Sequence, residues 1–273
     1  MAFIKTQDGT SLFYNLCGKG RPIVFVHGWC INSDSWEYMI DGLAEKGYQC
    51  IAYDQRGCGR SDQPWEGYDY GTLARDLADL VDNLDLQDII LVGHSMGCGV
   101  VTRYLSEYGE DRVNKAVYIS TCTPFIQKDD TNPDGIDKAY LLEALQAIKK
   151  DRPAFVRGLV DAYMGITHIG NAVSADFVDW GIAITLQASS KASSELLITN
   201  FVSDQREELK KIKMPVLMLH GDKDINAFPQ LTALPTHALL TNSELKFIEG
   251  QAHGVYMLAV DELNRHILDF INR

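Results

Sequence analysis

Short apolar runs alternate along this chain with longer stretches in which apolar residues return every three or four positions. The runs are Ile23–Val26, Gln49–Tyr53, Ile89–Val92, Lys115–Ser120, Met214–His220 and Leu245–Ile248. Each has the length of a strand, and their near-continuous apolarity suits strands covered on both faces. Between and after them, Trp36, Met39, Ile40 and Leu43 share one helical face. So do Leu73, Leu77, Leu80, Val81 and Leu84, then Val100, Val101, Tyr104, Leu105 and Tyr108, and last Leu263, Ile267, Phe270 and Ile271. Asp34 or Ser35 is placed to begin the first helix and Thr72 to cap the second. At the N-terminus Phe3–Thr6 and Ser11–Tyr14 flank an Asp8-Gly9 turn, which predicts a hairpin. Strands alternating with amphipathic helices imply an α/β fold with a mostly parallel central sheet flanked by helices.

The alternation stops after Pro124. Gln127–Gly135 is polar and rich in turn formers, and from about Ile136 to Glu208 only helical spacing remains. Three groups stand out: Leu141, Leu142, Leu145 and Ile148; Phe155, Leu159, Tyr163 and Met164; Phe177, Trp180, Ile184 and Leu186. The strand pattern resumes at Met214. The expected organisation is a core of residues 1–124 and 214–273, with residues 125–213 inserted as a helical cap. Such a cap would cover the carboxyl ends of the strands, where open α/β sheets bind ligands.

One junction carries candidate chemistry. Ile89–Val92 runs into Gly93-His94-Ser95-Met96-Gly97 and then into a helical pattern. Strand, tight turn and helix is the context in which Gly-x-Ser-x-Gly projects a nucleophilic serine above a sheet edge. A serine nucleophile needs a base, and the base needs a carboxylate to orient it. His253, in Gly250-Gln251-Ala252-His253-Gly254, follows the last strand and precedes the last helix, so its loop can face the elbow. After the strand ending at His220, Gly221-Asp222-Lys223-Asp224 offers two carboxylates. Asp224 is the choice for the acid because the longer turn brings it nearer the His253 loop, and Asp222 suits backbone hydrogen bonds within the turn. For an oxyanion the backbone N–H of Met96 follows the nucleophile, and that of Trp29 lies on the turn after Val26. His27 is placed to brace that turn, and Asp54-x-Arg-Gly-x-Gly reads as a tight turn held by an Asp–Arg pair. In the cap Phe155, Tyr163, Met164, Phe177, Trp180, Ile184 and Leu186 are candidates to line an apolar pocket, about half of them packing only against other helices. Cys30 joins them from beside the oxyanion turn.

Composition narrows the partners. The chain has 273 residues, 46% of them hydrophobic and 23% charged, which suits one folded α/β unit. A net charge of −12 excludes nucleic acid and anionic membrane surfaces as expected partners. The first residues, Met1-Ala2-Phe3-Ile4-Lys5, lack the pattern of a signal peptide, and no apolar run is long enough to span a bilayer. Six scattered cysteines without a Cys-x-x-Cys pair read as reduced thiols of a cytoplasmic protein. No Cys/His spacing suits a metal, and the chemistry requires no cofactor. Self-association is left open.

Together, His27-Gly28-Trp29, Asp54-x-Arg-Gly-x-Gly-x-Ser61, Gly93-His94-Ser95-Met96-Gly97, Gly221-Asp222-x-Asp224 and Ala252-His253-Gly254 resemble the α/β-hydrolase superfamily. Within it the chain is most similar to the group of aryl esterases, cofactor-free haloperoxidases (perhydrolases) and a γ-lactamase. Trp65, Gly67, Tyr68 and Asp69 and the run Gly97-Cys98-Gly99 strengthen the likeness, which covers both flanks of the sheet and weakens in the cap. The resemblance implies Ser95, Asp224 and His253 as a triad. A serine at position 95 excludes the relatives that need a carboxylate nucleophile, the haloalkane dehalogenases and epoxide hydrolases. Two departures matter. Perhydrolase members usually carry proline after the oxyanion tryptophan, where this chain has Cys30, which lowers the expectation of perhydrolysis. Asp224 and Pro229 are also spaced about one residue more widely than is usual in the family. The expected function is serine-dependent hydrolysis of apolar carboxylic esters or lactones. Perhydrolysis, γ-lactam or C–C bond hydrolysis by the same triad, and a low-turnover ligand receptor, are the alternatives.

Overall fold

The computed structural model describes residues 2–273; Met1, the first residue of the predicted core, lies outside them. In chain order the first half comprises β1 (Ala2–Lys5), β2 (Ser11–Gly18), β3 (Arg21–Val26), α1 (Glu37–Ala44), β4 (Tyr48–Tyr53), α2 (Tyr70–Asn83), β5 (Ile89–His94), α3 (Met96–Tyr108) and β6 (Val113–Ile119). Then follow α4 (Lys138–Met164), α5 (Ile166–Ile169), α6 (Ala175–Leu186), α7 (Ser190–Val202), α8 (Arg206–Leu209), β7 (Val216–Gly221), α9 (Ala233–Leu239), β8 (Ser243–Ile248), α10 (Val255–Leu258) and α11 (Val260–Ile271). The strands form one eight-stranded sheet in the order β1-β2-β4-β3-β5-β6-β7-β8. β1 and β2 are antiparallel and the other six are parallel to one another.

The period-two rule sorts each central strand between two cores. Val24 and Val26 of β3 face α2 and α3, where Leu73, Leu77, Val100 and Val101 meet them. Ile23 and Phe25 face α1 and α11, with Trp36, Met39, Leu263 and Ile267. Every residue of β5 is buried, which the unbroken apolar run required.

Some local expectations change. A 3-10 turn, Ser33–Trp36, precedes α1, and its cap is Asn32, whose side chain accepts from the Asp34 amide. α2 begins before Thr72, because Asp69 caps it by accepting from the Thr72 amide. Asp54 pairs with Arg60 at 3.0 Å, while the Arg56 of its own motif turns to Asp76 at 2.6 Å. In the inserted helices the first two predicted groups lie on α4, which is broken at Asp151 by a non-helical backbone ahead of Pro153. Asp151 Oδ1 there accepts from the Ala154 amide, as a cap does at a new helix start. α7 and α9 were not foreseen: α7 is capped by Ser189, but its apolar residues lack a single face. Among the described residues no helix is long and apolar enough to cross a membrane.

Candidate active site

The site gathers at the carboxyl ends of the parallel strands. β5 ends at His94, α3 opens at Met96, and Ser95 between them holds φ 54°, ψ −121°. That strained backbone persists only because its neighbours enforce it. A Cβ on Gly97 would lie 2.2 Å from the Val26 carbonyl oxygen, and one on Gly93 2.9 Å from Cys98, so strand and helix pass where no side chain fits. Gly28 is equally confined, a Cβ there falling 3.1 Å from Ser95 Cβ. The Gly28–Trp29 segment therefore runs directly against the serine.

Ser95, His253 and Asp224, expected from the sequence, come together in one line. Ser95 Oγ lies 2.8 Å from His253 Nε2, and His253 Nδ1 lies 2.7 Å from Asp224 Oδ2. All three are buried. Asp224 Oδ1 accepts the amides of Asn226 and Ala227 at 2.8 and 2.9 Å. Burial alone would raise the Asp224 carboxyl, but the charge and hydrogen bonds of His253 and His220 hold it well below the usual carboxylate range. Asp222 stays out of the line: its Oδ1 accepts the Gly250 amide at 2.6 Å and it pairs with Lys223.

Two further histidines serve this arrangement, and the sequence reading missed both roles. His220 Nε2 sits 3.1 Å from Asp224 Oδ2 and 2.9 Å from the Ala227 carbonyl, so it fixes the acid from behind. The signal lay in the spacing, a histidine four residues ahead of the acid across a tight turn. His94 Nε2 lies 3.2 Å from the His253 carbonyl, and its ring rests against His253, Tyr163 and Tyr256. Burial, then the neighbouring His253, push His94 well below its ordinary value, so it stays neutral.

Met96 and Trp29, the expected oxyanion donors, flank Ser95 in different ways. Met96 opens α3, where the first amides have no acceptor within the helix. The Trp29 loop is braced by His27, whose Nδ1 donates to the Gly28 carbonyl and whose Nε2 accepts the Gln55 amide. The Trp29 indole donates to the Ser193 carbonyl at 2.9 Å, tying this loop to α7.

Above Ser95 opens a cavity of about 670 Å³. Phe155, Tyr163, Met164 and Ile184 line it, as expected. Cys30, Phe177, Trp180 and Leu186 do not. Phe177 and Trp180 lie on the face of α6 that packs against Tyr38, at 5.9 and 6.0 Å between ring centroids. Gly181, Ile184 and Thr185, further along α6, line the cavity. Leu186, at the end of α6, packs against the core. Cys30 has φ 56°, at the centre of a γ-turn closed by Ile31 N–H to the Trp29 carbonyl at 2.8 Å, and its buried side chain joins the core with Cys58. Unforeseen lining residues include Ile31, Tyr140, Asn200 and Phe228. Cys122 is also new, its Sγ only 3.3 Å from Ser95 Oγ. Burial raises that thiol to about 11, so it stays protonated.

A sheet of this order, a strand–serine–helix elbow and an acid and a histidine on the loops after the last two strands define a hydrolase architecture, and the chain belongs to the α/β hydrolase fold family, whose model matches residues 21–260. Its relatives are more particular. Over the full length of both chains it is 36% identical to the non-heme chloroperoxidase CPO-A1 of Kitasatospora aureofaciens. The crystal structure of a bromoperoxidase from Bacillus anthracis superposes with a TM-score of 0.96 at 35% identity, covering 100% of this chain and 99% of that one. An esterase from Exiguobacterium antarcticum superposes with a TM-score of 0.94 at 29% identity, with the same coverage.

Proposed function

We propose that this chain is a serine hydrolase that cleaves carboxylic esters or lactones of apolar small molecules through an acyl-enzyme on Ser95. The carrying observation is the unbroken line Ser95–His253–Asp224 at the floor of a largely apolar cavity. His253 Nε2 takes the Ser95 proton as Oγ attacks the carbonyl carbon. Asp224 holds the Nδ1 proton in place and stabilises the imidazolium. The Trp29 and Met96 amides receive the oxyanion, and His253 then activates water to release the acid. No step calls on a metal or cofactor. Six free thiols, five of them buried, suit a reducing, cytoplasmic setting.

Perhydrolysis is the second reading, favoured by the likeness to haloperoxidases. It uses the same acyl-enzyme with hydrogen peroxide in place of water.

Ser95→Ala tests the shared step. It should lower hydrolysis of p-nitrophenyl butyrate by about 10⁴- to 10⁶-fold in a folded protein. A fluorophosphonate should label the wild type at Ser95 alone. A folded Ser95→Ala protein with a tenth of the activity would refute the proposal.

A further inference from the structure

Of the polar groups around the cavity, Asn226 Oδ1 and His94 Nδ1 are buried without a partner and others are engaged. Thr185 Oγ1 donates within its own helix to the Gly181 carbonyl, and the Tyr163 hydroxyl donates to Tyr256. Asn200, in the last turn of α7, differs. Its Oδ1 accepts the Tyr70 hydroxyl at 3.0 Å. Tyr70 is buried and cannot swing, because its ring lies on Gly99 of α3, where a Cβ would fall 2.5 Å from the hydroxyl oxygen. With the oxygen so held, the Asn200 Nδ2 group is the free end of an amide that lines the cavity, and its two protons exceed the single contact it has with the Cys122 thiol. It lies beside Cys122, which itself touches Ser95. The Cys122 side chain alone thus stands between the amide and Ser95 Oγ.

We infer that Asn200 is a specificity-determining residue that donates a hydrogen bond to a second carbonyl of the substrate. The preferred substrate is then an oxo-ester or oxo-lactone, with its acceptor a few bonds from the scissile carbonyl and the remainder apolar. This inference rests on the esterase reading above. Tyr70 acts as the positioning residue that selects which end of the amide faces the substrate. A donor poised in an apolar cavity discriminates between a substrate that accepts its hydrogen bond and an isostere that leaves it unpaired.

The test compares kcat/KM within two ester pairs, each corrected for its uncatalysed rate. On the acyl side the pair is p-nitrophenyl 4-oxopentanoate and p-nitrophenyl pentanoate; on the alcohol side it is 3-oxobutyl butyrate and butyl butyrate. The wild type should prefer the oxo member of one pair by about tenfold, and that pair tells which side Asn200 reads. Asn200→Leu should bring the ratio near one, and Tyr70→Phe should lower it part of the way. The ratio cancels any loss common to both esters, so a variant that is merely less stable does not imitate the effect. Equal rates within both wild-type pairs, or a preference unchanged in Asn200→Leu, would overturn the inference while leaving the hydrolase intact. A wild type that cleaves none of the four esters would bring down the esterase reading and this inference with it.

Discussion

Asp224→Asn changes one atom of the site and exposes its logic. Four donors converge on the native carboxylate: two backbone amides on Oδ1, and His253 and His220 on Oδ2. A carboxamide of the same shape has one oxygen and one NH2 group to place there. If the oxygen stays with the Asn226 and Ala227 amides, the NH2 group faces His253 Nδ1, which must then become an acceptor. The imidazole proton moves to Nε2, the nitrogen that has to receive the Ser95 proton. If the amide flips, its NH2 group meets two backbone N–H donors in a buried site, at a cost of about 1–3 kcal/mol for each donor left unpaired. His220 offers no rescue, since its Nε2 proton can turn wholly to the Ala227 carbonyl. The wrong tautomer therefore dominates, and kcat should fall by about 10⁴, the loss typical of this exchange in a serine triad, or roughly 5.5 kcal/mol of barrier.

Asp222→Asn is the matched control, because its amide oxygen still accepts the Gly250 amide and only a solvent-facing pair with Lys223 is lost. Such pairs contribute under about 1 kcal/mol, so kcat should stay within roughly threefold of wild type. Initial rates on p-nitrophenyl butyrate, with the active-site concentration titrated by a fluorophosphonate, measure both variants. An Asp224→Asn enzyme that keeps a tenth of its kcat while Asp222→Asn loses most of its own would refute the reasoning.

Three further outcomes are expected. Because His94 is neutral in the fold, the unfolded chain takes up a proton near pH 6.5 that the native state does not. Its contribution to stability therefore falls below pH 6.5 by about 1.4 kcal/mol per pH unit, down to the lowered native value. In urea titrations at pH 6.5 and 5.5, an interval over which the unfolded His94 goes from half to almost fully charged, His94→Gln should lose about 1 kcal/mol less stability than wild type, and equal losses would contradict the neutral imidazole. Gly28→Ala sets a methyl group 3.1 Å from Ser95 Cβ and should slow acylation about tenfold or more by shifting the Trp29 amide; stopped-flow acylation at the wild-type rate would count against that amide as a donor. Cys30→Pro cannot keep φ 56°, so it should lower stability by more than about 1 kcal/mol and raise the peracid-to-acid ratio formed from a short ester with peroxide. An unchanged ratio would separate position 30 from the choice of acyl acceptor.

The features legible in the sequence were those that periodicity or a fixed motif encodes. Period two in Ile23–Val26 and helical spacing in α2 and α11 specify which side chains are buried, and hence the sheet and its layers. Ser95, His253 and Asp224 were legible because each stands at a strand–loop junction with little freedom of place. The inserted helices were harder. Phe177, Trp180 and Ile184 are apolar and share a face of α6, yet only Ile184, at its far end, reaches the cavity, because Tyr38 packs on the other two. Which end of an apolar helix face meets a ligand depends on a neighbour 139 residues away in the case of Phe177 and Tyr38, and no local pattern records it. Asn200 and His220 were missed for a related reason: each acts through one long-range or cross-turn partner rather than through its own spacing.

Cys30 shows a third kind of silence, one of torsion rather than contact. The resemblance gives this position as a proline in the perhydrolase group, and its replacement by cysteine lowers the expectation of perhydrolysis. At φ 56° the position sits in a left-handed γ-turn that proline cannot enter. A chain with proline there must run the turn with φ near −65°, as an inverse γ-turn or an open one, so the Trp29 carbonyl cannot keep the direction it has here. That carbonyl belongs to the same residue whose amide is placed to receive the oxyanion, so the turn sets two polar groups at once. In this chain the Trp29 carbonyl is held by Ile31 in the direction that φ 56° at Cys30 allows, and a proline turn would point it elsewhere. The balance between hydrolysis and perhydrolysis is in this view a property of one backbone turn, held by a buried cysteine and braced from behind by His27.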